Sequence, residues 1–288
     1  MSANISPVAW YGGKSRLSAW IVGLLPRHDT YIETFGGGAS VLFRKPPARL
    51  EVYNDIDDGL VTFFGVLRDR PAELARALAL TPYARAEFRH CRHTWQQAKD
   101  VERARRWYVA TRMAFACSAT DGWGYELDGS QRGGTRAASF ATAVENLERF
   151  AERFRRVQVD QLDWRKCLDR YDRRGAVFYL DPPYHPDTRG RDRRNAYRHD
   201  LDASEHEQLL QRVADVDASV LISGYPHPLY DQELAAAGFE RHQLAHHSTA
   251  ARAPAGRGGR TEVLWRRLAP GAADTLPLWF PTTANAVT

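Results

Sequence analysis

Two hydrophobic periods alternate along the chain and divide it into regions. Short apolar runs bounded by glycine, proline or acidic residues read as strands at residues 30–35, 51–55, 157–161, 176–181, 218–223, 239–244 and 261–266. Helical patterns follow the glycines at 36–38 and fill residues 204–214 and 228–237. Asp202 with Glu205 three residues on has the spacing of a capping box, which predicts where the first of those two later helices begins. From Gly59 to about Phe154 the pattern is helical throughout, apart from a short segment near Trp123. Within it, Thr81 as cap and Pro82 at the first helical position predict a helix start.

Strands that alternate with helices predict an open α/β sheet of the Rossmann-like kind, interrupted after its second strand by a mostly helical insertion. The domain division that follows is a discontinuous catalytic domain, 1–58 and 155–268, and a helical insertion, 59–154. The remainder, 269–288, has neither period and is expected to be an extended or disordered tail.

Composition adds little to this until charge is placed along the chain. At 288 residues and 43% hydrophobic content the chain can bury a large core. It contains no apolar run of about 20 residues and no leader-like start, so a cytoplasmic protein without membrane contact is expected. Cys91, Cys117 and Cys167 are too scattered for a disulfide framework or a zinc pair. The net charge of +5 is modest, but residues 83–112 alone hold eight Lys or Arg against three acids, as large an excess as the whole chain. Further arginines cluster at 189–198 and 252–260. Clustered arginine suits a polyanion such as nucleic acid, and it equally suits a solvated basic surface.

Three glycine- or proline-marked segments carry candidate chemistry. "WYGGKSRL" at 10–17 ends like a phosphate-binding loop, but that loop requires a glycine where Val8 stands, so ATP binding is not supported. "ETFGGG" at 33–38 lets a ligand approach the backbone at a strand end, and Asp55 at the next strand end suits ribose hydroxyls. The dinucleotide pattern fails because its third glycine is Val41 here. The most specific segment is "FYLDPPYH" at 178–185. There an apolar strand stops at two prolines, which donate no backbone hydrogen bond. A carboxylate, a proline-flanked carbonyl and an aromatic face together suit a planar heterocycle bearing an exocyclic amine.

With these parts in this order, residues 7–267 resemble the amino-type DNA methyltransferases, and within them the Dam-like DNA adenine-N6 methyltransferases of bacteria and phages. The resemblance rests on "WYGGK", "ETFGGG", "YNDID", the helical insertion, "DPPY", "LISGYPHPLY" and "TEVLW". It implies a Rossmann-like S-adenosylmethionine-dependent methyltransferase sheet with a target-recognition insertion. Trp10, Lys14, Phe35, Gly36, Gly37, Asp55 and Asp181 would then contact S-adenosyl-L-methionine, and Glu33 would contact its methionine part. Asp181, Pro182, Pro183 and Tyr184 would form the catalytic set. The Asp181 carboxylate and Pro182 carbonyl would accept hydrogen bonds from N6 of a flipped adenine, Tyr184 would stack on it, and no metal would be required.

The implied partner is double-stranded DNA, read at a specific site by the insertion around residues 112–135, with no obligatory protein partner and a monomeric enzyme. The segment at 185–200 would close over the DNA, with Tyr197 lining the pocket. Methylation of cytosine N4 or RNA adenine, and a catalytically inactive DNA-binding regulator, are the competing readings. Serine in place of Asp181 is the family tendency for cytosine.

Overall fold

A computed structural model of the chain describes residues 5–10, 12–115, 122–127, 135–188, 198–246 and 260–273. Seven strands form one sheet: β1 (Thr30–Glu33), β2 (Leu50–Asn54), β3 (Val157–Asp160), β4 (Ala176–Leu180), β5 (Ser219–Gly224), β6 (Glu240–His246) and β7 (Arg260–Arg267). Their order across the sheet is β3-β2-β1-β4-β5-β7-β6. The first five are parallel, while β7 runs antiparallel between β5 and β6. Every predicted strand is present, and the topology is the expected mixed α/β sheet. The strand order reverses between β1 and β4, so the ends of those two strands diverge and leave a crevice.

Both faces of the sheet are covered, as the fully buried patterns of β1, β4 and β5 require. Alternate side chains serve two cores. Ile32, Val52, Phe178 and Ile222 face α9 (Trp164–Tyr171), α10 (Ala203–Ala214) and α11 (Pro228–Ala236). Tyr31, Tyr53, Val177 and Leu221 belong to the opposite core. That second core also takes in α1 (Ser18–Gly23), α2 (Ser40–Arg44), α3 (Asp58–Asp69), α4 (Pro71–Ala79), α5 (Arg85–Thr94), α6 (Asp100–Arg112), α7 (Arg136–Glu145) and α8 (Leu147–Phe154).

The helical block is therefore bolted to the sheet by a continuous apolar core. Phe64 and Phe154 stack at 4.9 Å between centroids and close over Tyr53 of β2. Gly59 lies where any Cβ would strike the Trp107 indole at 1.9 Å, which lets α3 and α6 approach closely. Buried Glu51 of β2 takes Lys45 at 2.6 Å and Arg153 of α8 at 2.6 Å. Burial alone would raise this carboxyl, but the two cations outweigh it and hold it below its ordinary range.

The capping box at Asp202 is present, with Glu205 returning the bond to the Asp202 amide. The predicted start at Thr81 is not. The Thr81 hydroxyl instead donates to the Ala77 carbonyl at 2.8 Å and finishes the preceding helix, and the next one begins at Arg85. The expected loose tail also starts docked: the Ala269 amide donates to Ser219 Oγ and the Arg27 amide to the Ala273 carbonyl. Residues 274–288 lie outside the described residues, as do Cys117, most of the 116–134 segment and all of 189–197, Tyr197 included.

Candidate active site at the switch point

The crevice between the ends of β1 and β4 is a cavity of about 260 Å³. Its floor is the turn after β1. The Gly36 amide donates to the Asn54 carbonyl, and a Cβ on Gly36 would lie 2.2 Å from the Tyr53 ring. Gly37 has a φ of +47°, and a Cβ there would stand 2.9 Å from the Trp10 indole. Both glycines are thus required by close approach, the first to Tyr53 and the second to Trp10.

Asp55, just past β2, accepts the Gly37 amide at 2.8 Å and the Asp57 amide at 2.8 Å. Burial pushes it up to about 6 against those bonds. Asn54 braces this corner: its amide nitrogen donates to the Thr34 and Leu162 carbonyls, and its oxygen accepts the Leu162 amide. The ends of β1, β2 and β3 are held as one rim. Glu33, also in the wall, is buried and accepts from the Tyr31 hydroxyl at 2.8 Å and the Leu42 amide at 2.7 Å. Burial nevertheless lifts it to about 8.

On the β4 side stands Asp181. Lys14 Nζ lies 2.7 Å from each of its carboxylate oxygens and donates to Oδ2; Oδ1 is buried and receives no aligned donor among the described residues. The same ammonium donates to the Gly12 carbonyl at 3.0 Å, sits 3.8 Å from Glu262 of β7 and lies 4.8 Å above the Tyr184 ring. Burial would lower Lys14, but Asp181 and Glu262 overcome it and hold the pKa above the ordinary lysine value. Burial raises Asp181, with Lys14 pulling against it. Glu262 is lifted by burial to about 7, again against Lys14.

Trp10, Lys14, Phe35, Gly36, Gly37, Asp55, Asp181 and Pro183 all border the one cavity, so residues as distant in sequence as 10 and 183 converge there. Tyr184 does not. It is buried, with its hydroxyl on Glu262 and its ring edge-to-face with Tyr225 at 4.5 Å. Pro182 is buried beside it and does not border the cavity. The opposite rim is formed by Arg198, His199, Asp200 and Leu201, the described end of the segment expected to close over DNA.

Glu262 is the functional candidate that sequence reasoning missed. In "TEVLW" it looks like the polar position of an alternating strand, and nothing in the spacing ties it to Lys14.

A second concave surface lies on the helical block. Arg85, Arg89, Arg92 and His93 line a groove with Trp123 and Tyr125. The Arg85 guanidinium lies over both rings, at 4.8 and 5.3 Å, and the rings stack at 5.5 Å. Three further arginines of the 83–112 segment are paired with acids within the block. Arg105 pairs with Glu87 and Glu102, Arg106 with Glu102, and Arg103 with Asp58.

A family model described as the D12 class N6 adenine-specific DNA methyltransferases matches residues 10–242. No curated protein matched the sequence. Among solved structures, a Pyrococcus horikoshii protein assigned as an RNA methyltransferase is 10% identical, with 92% of this chain and 85% of that one covered at a TM-score of 0.35. The rRNA methyltransferase aviRa from Streptomyces viridochromogenes is 14% identical, with coverage of 88% and 84% and a TM-score of 0.34. Likenesses this weak say nothing of substrate.

Proposed function

The chain belongs to the D12 class of N6 adenine-specific DNA methyltransferases, and from that premise we propose how its residues divide the work. The enzyme methylates the N6 amino group of adenine in DNA, and the family makes its chemistry S-adenosylmethionine-dependent. Bound in the crevice, S-adenosylmethionine supplies an electrophilic methyl group on a sulfonium. The chain's own features fit such a ligand: a glycine turn with no room for a Cβ, an indole beside it, and the Asp55 carboxylate at the rim. Trp10, Phe35, Gly36 and Gly37 would enclose it, and Asp55 would take the ribose hydroxyls. Glu33, whose Oε1 accepts two bonds from the protein, borders the same space.

The observation that carries the catalytic assignment is the Lys14–Asp181 pair. An adenine amine is a poor nucleophile because its lone pair is delocalised into the ring. Asp181 Oδ1 borders the cofactor crevice and makes no aligned hydrogen bond, although Lys14 Nζ lies 2.7 Å from it, so it can accept an N6 hydrogen while keeping its ion pair. Accepting that hydrogen favours a pyramidal nitrogen and stabilises the positive charge that grows on it. Lys14 is the positioning residue: by holding Oδ2 it fixes the plane of the carboxylate, and Glu262 and Tyr184 fix Lys14 in turn. The adenine must leave the duplex to reach this depth.

DNA would lie across the helical block, with the Arg85 groove meeting phosphates and the adjoining residues reading base edges. A double-stranded, site-specific substrate and a monomeric enzyme are part of the same proposal. No helix among the described residues is long and apolar enough to cross a membrane.

The test is transfer of labelled methyl from S-adenosylmethionine to unmethylated genomic DNA, by wild type and by Asp181→Ala. N6-methyladenine in one sequence context, lost in the variant, is the expected result. Undiminished N6-methyladenine from the variant would remove Asp181 from the mechanism, and label on cytosine N4 would overturn the assignment of the base.

A further inference from the structure

Immediately after Tyr184 the chain builds a second polar cluster that the methyl transfer does not use. His185 Nδ1 lies 3.7 Å from Asp187 Oδ2, and His227 Nε2 lies 3.9 Å from the same oxygen. One ligand atom from each of the three residues falls within 4.8 Å of the other two. The two imidazoles stack at 3.9 Å between centroids, tilted by 29°.

We propose that His185, Asp187 and His227 form a binding site for a divalent first-row transition ion such as zinc. Two imidazoles and one carboxylate are a common ligand set for such ions, which leaves a fourth position for water. His185 Nδ1 and His227 Nε2 are the ring nitrogens that approach Asp187. The Asp187 amide donates to His185 Nδ1 at 3.3 Å, so that nitrogen is the unprotonated one, and an ion would take the place of this long hydrogen bond.

Zinc bonds of about 2.0–2.2 Å put tetrahedral ligand atoms roughly 3.3 Å apart, so the stacked imidazoles must splay and the two gaps to Asp187 Oδ2 must each close by about half an ångström. Asp187 can supply that movement because its side chain is 79% exposed. The neighbouring His206 is not needed as a ligand, since its Nδ1 is shared with the Tyr230 hydroxyl at 2.8 Å.

The position gives the ion a consequence. His185 follows the catalytic Asp-Pro-Pro-Tyr segment directly, whereas His227 caps the start of α11 after β5. An ion here would fasten the loop after β4 to the loop after β5, alongside the Tyr184–Tyr225 contact.

The experiment is titration of chelator-treated full-length protein with zinc and cobalt, read by melting temperature and by the visible absorption of bound cobalt. Wild type should bind one equivalent, gain melting temperature and show the absorption of a nitrogen- and oxygen-ligated cobalt. Asp187→Asn and His227→Gln should each weaken binding by at least about tenfold, roughly 1.4 kcal/mol. His90→Ala, exposed on α5 and outside the cluster, should leave it unchanged. No saturable binding by folded wild type, or equal binding by wild type, Asp187→Asn and His227→Gln, would overturn the site. Asp187 is a surface residue, so its variant remains informative even if His227→Gln fails to fold.

Discussion

Cations serve the crevice and the helical block in opposite ways. In the crevice a single ammonium, Lys14, is buried between Asp181 and Glu262 and roofed by a phenol ring. Little water reaches it, so its field acts at close range on one carboxylate. In the groove of the helical block, Arg85 rests on the faces of Trp123 and Tyr125 and makes no ion pair with an acid among the described residues. A charge held that way can meet a phosphate and release a counterion. Between the two lie Arg103, Arg105 and Arg106, which neutralise acids within the block. An arginine count therefore overstates the DNA-facing charge, and the partner of each residue decides which group it joins.

The largest effect should come from the crevice. Asp181→Asn keeps the shape but removes the anion, and the rate of methyl transfer should fall by about 10²–10³. Calorimetry should show DNA and methyl-donor affinities changed far less, and a rate loss below tenfold would break the contrast between the two regions.

The next effect is on stability against pH. Burial lifts Glu33 to about 8, Glu262 to about 7 and Asp55 to about 6, whereas the unfolded chain returns each to the ordinary carboxylate range. The folded state therefore holds the extra protons across that interval. The stability from their neutral forms is complete below the unfolded values and is lost as pH rises through the folded ones. Melting temperature should decline from pH 5 to pH 8. Glu33→Gln should flatten the decline by up to ~1.4 kcal/mol per pH unit, and an unchanged slope would mean Glu33 is ionised in the fold.

Within the helical block the two kinds of arginine separate by assay. Arg105→Ala should destabilise the protein by about 1–2 kcal/mol, seen in urea unfolding, because it leaves Glu87 and Glu102 without their shared partner. It should leave the salt dependence of DNA binding unchanged. Arg85→Ala should do the reverse, lowering the slope of log affinity against log salt by about 1 with little change in stability. Identical behaviour of the two variants would dissolve the distinction drawn above.

Much of this was legible along the chain, and the exceptions share a cause. Seven strands, and the glycine turn, Asp55 and Asp181 at their ends, follow from period, from glycine and proline, and from acids at strand ends, whereas Trp10 and Lys14 came only with the family resemblance. The strand order was not legible, because the insertion of β7 between β5 and β6 is decided by which edge buries Leu264 and Trp265. Glu262 was missed for the same reason, since its partner lies near the other end of the sequence. The burial of the Tyr184 hydroxyl on Glu262 was hidden in the same way. The arginine pairs could have been anticipated in part: Glu102 stands three and four residues before Arg105 and Arg106, the spacing of neighbours on one helix face. Asp57, which caps α3 by accepting the Gly59 and Leu60 amides, was likewise available as an acid just ahead of a helical period.

The placement of Glu262 on β7 also sets an order of assembly. Lys14 is made early by the ribosome and Glu262 late, so the nascent chain must hold a lysine destined for burial until the strand bearing its second carboxylate emerges and slides between two others. Contacts of such long sequence separation form slowly. The parallel part of the sheet can gather while the catalytic corner is still open, and a ribosome stalled before β7 would present a nearly complete fold without a finished site.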